Sequence, residues 1–226
     1  MRIRHLIAIL ALPCGLAAKT DTPLDVLPAL GTTQLSRSLE AAARHPRHIW
    51  RDTPPFSADS TVNAYIEISR GDRRKWEFDM GANAPAIDRV IPEDIGGYPV
   101  NYGFVPQTVS YDGDPFDALV LGPSLPGGIV RGVIVGLMFM EDEKGIDSKV
   151  VLAPVGQDGR PRYRLTGNDR EVIGTYFRKY KRDTPGKFST VPGWGSIAEG
   201  RAHVTMTHAF FRQCRTRAGA SCQIGQ

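Results

Sequence analysis

Residues 110–119 read SYDGDPFDAL and place three carboxylates, Asp112, Asp114 and Asp117, within six positions. Asp and Pro this dense make a surface turn. Carboxylate oxygens are also the natural ligands of hard divalent cations, so the same turn can hold one ion, or two ions sharing a carboxylate. An EF-hand loop is excluded: counted from Asp112, the places that need Gly and Glu hold Asp117 and Pro123. Residues 140–149, MEDEKGIDSK, carry a second acidic group of Asp142, Glu143 and Asp147. DEKG is good turn chemistry, which gives a solvated hairpin tip as one reading. Taken with the first group, it supplies more carboxylate than one ion needs, and such crowding is tolerable only with cations among the side chains. Several magnesium ions so placed would face an anion of high charge. The bases Lys75, Arg89, Lys149, Lys181 and Lys187 suit that anion's remaining oxygens. The chemistry indicated is a metal–polyphosphate site.

Other chemistries lack their residues. No His/Cys set has soft-metal spacing, and His203 and His208, five apart with no third partner, read as ordinary helix residues. There is no Gly-rich phosphate loop and no GxSxG.

The elements that must position these side chains are mostly strands. VNAYIEIS (62–69) alternates, with Val62, Ala64, Ile66 and Ile68 on one face and Tyr65 and Glu67 on the other. RKWEFDM (74–80) sets Trp76 and Phe78 against Lys75 and Glu77. AIDRVI, FDALVLG, the run 129–140 and DSKVVLAPV are further strand candidates, and from HPRHIWRDTPPF onward the chain reads as strand-like. Gly and Pro punctuate them at short intervals, as in a small barrel. Charged pairs at two-residue spacing, Lys75 with Glu77 and Asp147 with Lys149, share a face; unpartnered burial is costly, so they line a wet cavity or the barrel exterior. NDREVIGTYFRKYKR is a helix with Val172, Ile173, Tyr176, Phe177 and Tyr180 as its core stripe. SIAEGRAHVTMTHAFF opens on Ser196 and Glu199, a capping-box pair. The architecture expected is mainly β (α+β), one barrel of short strands with two outer helices.

The 226 residues suffice for one domain with a core, and 41% apolar and 8% aromatic content exclude a disordered chain. Residues 1–18 have the layout of a secretory signal peptide: basic MRIRH, an apolar stretch shorter than the ~20 residues of a spanning helix, then small residues. Without that leader Lys+Arg falls from 28 to 26 against 24 acids, so charge alone implies no nucleic-acid partner. The mature chain is expected to be soluble, exported (periplasmic or secreted) and free of the membrane. Cys214 and Cys222 remain, an even pair that in an exported protein forms a disulfide or stays as two thiols. Residues 19–44 read as a loosely packed extension with a short helical piece at QLSRSLEAAAR, residues 45–213 as the functional domain, and 214–226 as a tail.

In order along the chain, VNAYIEIS, RRKWEFD, AIDRV, YPVNYGFVPQT, DGDPFDALVL, EDEKGIDSK and YFRKYKRDTPGKF resemble the motifs of the soluble, magnesium-dependent inorganic pyrophosphatases of family I, from about residue 45 to about 194. The resemblance implies a closed OB-like five-stranded barrel with additional hairpin strands, and hydrolysis of pyrophosphate to two orthophosphates without a covalent intermediate. It implies several Mg2+ ions, with Mn2+ or Zn2+ as substitutes. Asp112, Asp117 and Asp147 would hold the tightest metal, Asp117 bridging to a second; Asp142 and Asp147 would take substrate-borne ions, helped by Glu67 and Glu77. Asp114 would be the general base. Lys75, Arg89, Tyr102, Lys149, Tyr180 and Lys181 would grip phosphate oxygens, with Tyr98 and Glu143 in support. The tyrosines suit a core equally well, Tyr98 most of all. A homo-oligomer, a hexamer as in bacterial relatives, is also implied. Ser69 and Ile146 depart from the family pattern at positions that are not ligands.

Two alternatives remain. One is an exported phosphohydrolase of short polyphosphate or a nucleotide. The other is a non-catalytic OB-like nucleic-acid binder, which would need exposed aromatics among basic residues. Here acids dominate the candidate face and would repel a phosphodiester backbone.

Overall fold

The computed structural model describes residues 29–215. The leader, the start of the extension and the end of the tail lie outside the described residues.

Among the described residues, nine strands and four helices follow in the order α1 (Ala29–Ala43), α2 (Ile49–Asp52), β1 (Val62–Ile68), β2 (Arg74–Asp79), β3 (Ala84–Val90), β4 (Asn101–Val105), β5 (Phe116–Val120), β6 (Gly128–Asp142), β7 (Gly145–Ile146), β8 (Lys149–Pro154), α3 (Gly167–Lys179), β9 (Ser189–Gly195) and α4 (Ile197–Arg215). Strand pairing runs β1-β4-β5-β8-β6, and β6 returns to β1, which closes a five-stranded ring. The expected barrel is therefore present. β9 adds to the edge of β6, and β2 with β3 forms a separate hairpin.

Strand alternation sorts the side chains into two layers. Val62, Ala64, Ile66, Val105, Phe116, Ala118, Val120, Ile134, Leu137, Val150 and Leu152, drawn from all five ring strands, pack together as the barrel interior, and Val204 of α4 plugs it. Each Val, Leu, Ile or Phe among them contributes about 1.5–3 kcal/mol when fully buried. The alternate residues Leu119, Met138 and Val151 point outward, beneath Ile173, Tyr176 and Phe177 of α3. α3 is fixed at its start by a capping box between Thr166 and Asp169. The Ser196–Glu199 pair expected at α4 forms as well.

Four expectations need correction. Ile68 does not share the face of Ile66, because the register shifts between them and turns Ile68 outward to the α3 layer. Val172 is 48% exposed, at the edge of the α3 stripe and not in it. IWRD is a helical turn, capped by the His48 ring accepting from Arg51 N–H. The extension is not loosely packed: Leu35, Ser38, Leu39 and Ala42 of α1 share one helical face, and the apolar ones join a cluster with Trp50, Phe104, Phe210 and Phe211. Cys214, also buried there, is disulfide-bonded, while Cys222 lies outside the described residues. No described helix is long and apolar enough to cross a membrane.

Candidate active site

The outward layer of the barrel carries the charged groups. Parallel pairing of β5 with β8 sets Ala118 opposite Val150, which brings Asp117 beside Lys149 on the same face. Lys149 Nζ, fully buried, donates to Asp117 Oδ2 at 2.5 Å and to Asp147 Oδ1 at 2.9 Å. It stands 5.6 Å from the Tyr102 ring centroid and 5.8 Å from that of Phe177. Tyr102 reaches this place because β4 packs very closely on β1 at Gly103, where a Cβ would meet the Tyr65 carbonyl oxygen at 1.8 Å.

The DGD turn brings in the next pair. Gly113, at φ 88°, allows the reversal, and Ser110 N–H donates to Asp114 O at 2.7 Å. Asp114 N–H donates to Asp112 Oδ1 at 3.1 Å. From the β6–β7 hairpin Lys144 Nζ lies 3.3 Å from both Asp112 Oδ2 and Asp114 Oδ2. The third pair is Asp142 with Glu143, which Lys181 joins at 2.5 and 3.1 Å. Lys181 follows the end of α3, whose neighbour Tyr180 lies under Arg89 at 5.8 Å. On the hairpin, β2 sets Lys75 opposite Arg89 of β3, and Lys75 joins Glu77 and Asp88. Glu67 ties this hairpin to the barrel by accepting Phe78 N–H at 2.7 Å.

These groups share one field. Burial, reinforced by Asp117, pushes the Glu67 carboxyl well up. Burial and Asp112 raise Asp114. Burial raises Asp147 too, with Asp117 and Asp112 adding to it against the opposing pull of Lys149. At Asp142 burial opposes ionisation, but Lys181 outweighs it and the carboxyl sits below its usual value. Lys149 and Lys144 are held protonated by the aspartates on either side, against the effect of burial. Burial, then nearby carboxylates, raise the Tyr102 and Tyr180 phenols.

The thirteen side chains to which the resemblance gives catalytic, metal-binding or phosphate-binding roles thus lie in linked groups along the outward face of the barrel and the adjoining β2–β3 hairpin. Among the described residues, no three acidic, imidazole or thiol side chains stand together in metal-ligating geometry, because lysine ammonium groups separate the carboxylates. The donor set nonetheless fits a hard divalent cation: it is all oxygen, and burial with neighbouring carboxylates raises Glu67, Asp114 and Asp147, the groups that a cation would hold ionised. An anion fits beside it, since Arg89 Nη2 is buried and has no hydrogen-bond partner among the described residues. Tyr98 is 1% exposed and belongs to the core. His203 and His208 donate from Nδ1 to the backbone carbonyls of Glu199 and Gln107, along and beside α4.

Three neighbours escaped the sequence reading. Lys144 was visible only as a turn residue of DEKG, and Asp88 only as a gap between Ile87 and Arg89. Gln34, which donates from α1 to Asp114 Oδ1 at 3.3 Å, showed only as the first residue of the helical piece QLSRSLEAAAR. A surface hollow of about 550 Å3 lies elsewhere, lined by residues such as His48, Asp52 and Asn83. Its polar groups serve one another, as where Asn83 Oδ1 accepts Ile49 N–H, so it is a structural seam.

Fold and site together define a barrel protein of the kind that handles a multiply charged anion with cations. The inorganic pyrophosphatase family profile matches residues 64–212. The inorganic pyrophosphatase of Thermus thermophilus is 40% identical over 146 residues, 61% of this chain and 82% of that one. Its counterpart from Saccharolobus solfataricus is 34% identical over 160 residues, covering 67% and 92%. The crystal structure of the T. thermophilus protein superposes with a TM-score of 0.66 at 32% identity, over 74% of this chain and 99% of that one. The chain belongs to the inorganic pyrophosphatase family, whose family I members are metal-dependent.

Proposed function

We propose that this chain hydrolyses inorganic pyrophosphate to two orthophosphates. The observation that carries the reading is the interleaving of carboxylates and ammonium groups on the barrel's outer face, centred on buried Lys149 between Asp117 and Asp147.

Asp112, Asp117 and Asp147 would hold the most tightly bound metal, with Asp117 shared by a second; Asp142 and Asp147 would take ions that arrive with the substrate, and Glu67 and Glu77 would assist. Magnesium is the proposed ion, with manganese or zinc as substitutes. When bound, such ions supply Lewis acidity, which lowers the pKa of water and screens the phosphoryl oxygens. Lys75, Arg89, Tyr102, Lys149, Tyr180 and Lys181 bind the phosphate oxygens and fix the anion in line for attack. Asp114 accepts the proton from the attacking water as its oxygen bonds to one phosphorus and the bridging P–O bond breaks. Charge then builds on the departing phosphate, where Lys and Arg oppose it at no reorganisation cost. No covalent enzyme intermediate is needed.

Export, and assembly as a homo-oligomer, belong to the same proposal. Exposed Ile87, Val90 and Ile129 give an assembly apolar surface to cover. The test is phosphate release from pyrophosphate with and without magnesium, beside tripolyphosphate and ATP. Metal-dependent turnover that favours pyrophosphate supports the reading, and no release from pyrophosphate at any metal concentration sinks it.

A further inference from the structure

We infer that Gln34 is a positioning residue for the base Asp114, so that helix α1, an element preceding the matched family span, forms part of the working site; this rests on the function proposed above. The family match begins at residue 64, yet Gln34 Nε2 lies 3.3 Å from Asp114 Oδ1. The other oxygen, Oδ2, is 3.3 Å from Lys144 Nζ. One donor per carboxylate oxygen, arriving from two different elements, fixes the plane of the group that must face the attacking water.

The contact is held from behind. Gln34 is exposed, but the next residue, Leu35, is fully buried, and Ala42 two turns on is buried in the same seam. That seam includes Trp50, Phe211 and disulfide-bonded Cys214, so α1 is clamped between the α2 turn and the end of α4. Trp50 Nε1 further donates to Thr108 O at 2.9 Å, and Thr108 Oγ1 accepts Phe116 N–H at 2.9 Å, which ties the seam to both ends of the DGD turn. A glutamine on a helix anchored this way returns to one place. An amide also positions a carboxylate without adding a charge that would compete with cations for it.

Four full-length variants test this: Gln34→Met, which keeps length and loses the donor; Gln34→Glu, which sets a second carboxylate against Asp114; Asp114→Asn; and the double variant Gln34→Met with Asp114→Asn. We expect Gln34→Met to lower kcat for magnesium pyrophosphate roughly 5–10-fold, at or below the low end for partners of site carboxylates because the contact is exposed. KM and the melting temperature should stay unchanged, and Gln34→Glu should lose more. In the Asp114→Asn background Gln34→Met should cost nothing further, since a residue acting through another has no target once that one is gone. Unchanged kcat in Gln34→Met, the same fold loss in both backgrounds, or a loss that tracks a lowered melting temperature would each overturn the inference. If the wild-type chain releases no phosphate from pyrophosphate, the functional reading falls and carries this inference with it. If it does and Gln34→Met is indifferent, only the inference falls.

Discussion

Lys149 Nζ sits 2.5 Å from Asp117 Oδ2, with the ammonium wholly enclosed and the carboxylate one-fifth exposed. Enclosing a charge is expensive, and the pair is tolerable because Asp147 supplies a second carboxylate at 2.9 Å. The lysine occupies a point where two negative groups would otherwise repel. Lys149→Met should therefore destabilise the metal-free protein by about 3–5 kcal/mol, the usual loss when one partner of a buried pair is removed. Chemical denaturation in EDTA measures it. Saturating magnesium should recover part of the loss, because cations replace the missing charge; an equal deficit with and without metal would contradict this account.

Asp114 is the one acidic residue of the DGD turn whose carboxylate receives donors from both α1 and the β6–β7 hairpin. As the proposed base, it should respond to Asp114→Asn with a fall in kcat of ~10²–10⁴. The amide is isosteric, so the thermal midpoint should hardly move. Steady-state phosphate release alongside a melting scan decides, and full turnover in this variant removes Asp114 from that role.

What this amino-acid sequence discloses of its fold depends on range. The strands announced themselves through two-residue alternation, as in Val62, Ala64 and Ile66, and the acidic sites through local density, as in Asp112, Asp114 and Asp117. Alternation predicts facing only while register holds, which is why Ile68 was misplaced by the shift after Ile66. β4 and β9 were missed because NYGFV and STVPGWG are broken by Gly or Pro and show no clean period. The reach of Gln34 to Asp114 spans 80 residues and depends on how α1 docks, and no local pattern encodes that. Lys144 lay in plain view, but its three-residue surroundings describe a turn equally well.

Cation binding should be visible as stability. A ligand that binds only the folded chain stabilises it by RT ln(1 + [L]/Kd), about 2.7 kcal/mol at a hundredfold excess over Kd. Magnesium should thus raise the melting temperature. Asp117→Ala should abolish most of that rise, since Asp117 is the carboxylate proposed to be shared between two ions. A rise of the same size in Asp117→Ala would move the tight site elsewhere.

Acid should weaken the seam beside α1 through His48. Burial, with help from His45 and Arg51, holds this imidazole below its ordinary 6.5, against the Met80 carbonyl that favours the charged ring. Its Nε2 lies 3.1 Å from Met80 O while Nδ1 accepts Arg51 N–H, the pattern of a neutral ring protonated at Nε2. The depressed folded value means that the unfolded chain binds the proton more readily. Stability from neutral His48 is therefore complete above the unfolded value near 6.5, and is lost as pH falls below it through the folded value. Unfolding free energies between about pH 7.5 and about pH 5, a range that brackets the ordinary imidazole value, should show a smaller acid-side decline in His48→Asn than in the parent. Asn retains a capping acceptor for α2 but cannot titrate, so its lost ring packing should lower the whole curve without tilting it. Parallel curves for the two proteins would assign the decline to other groups.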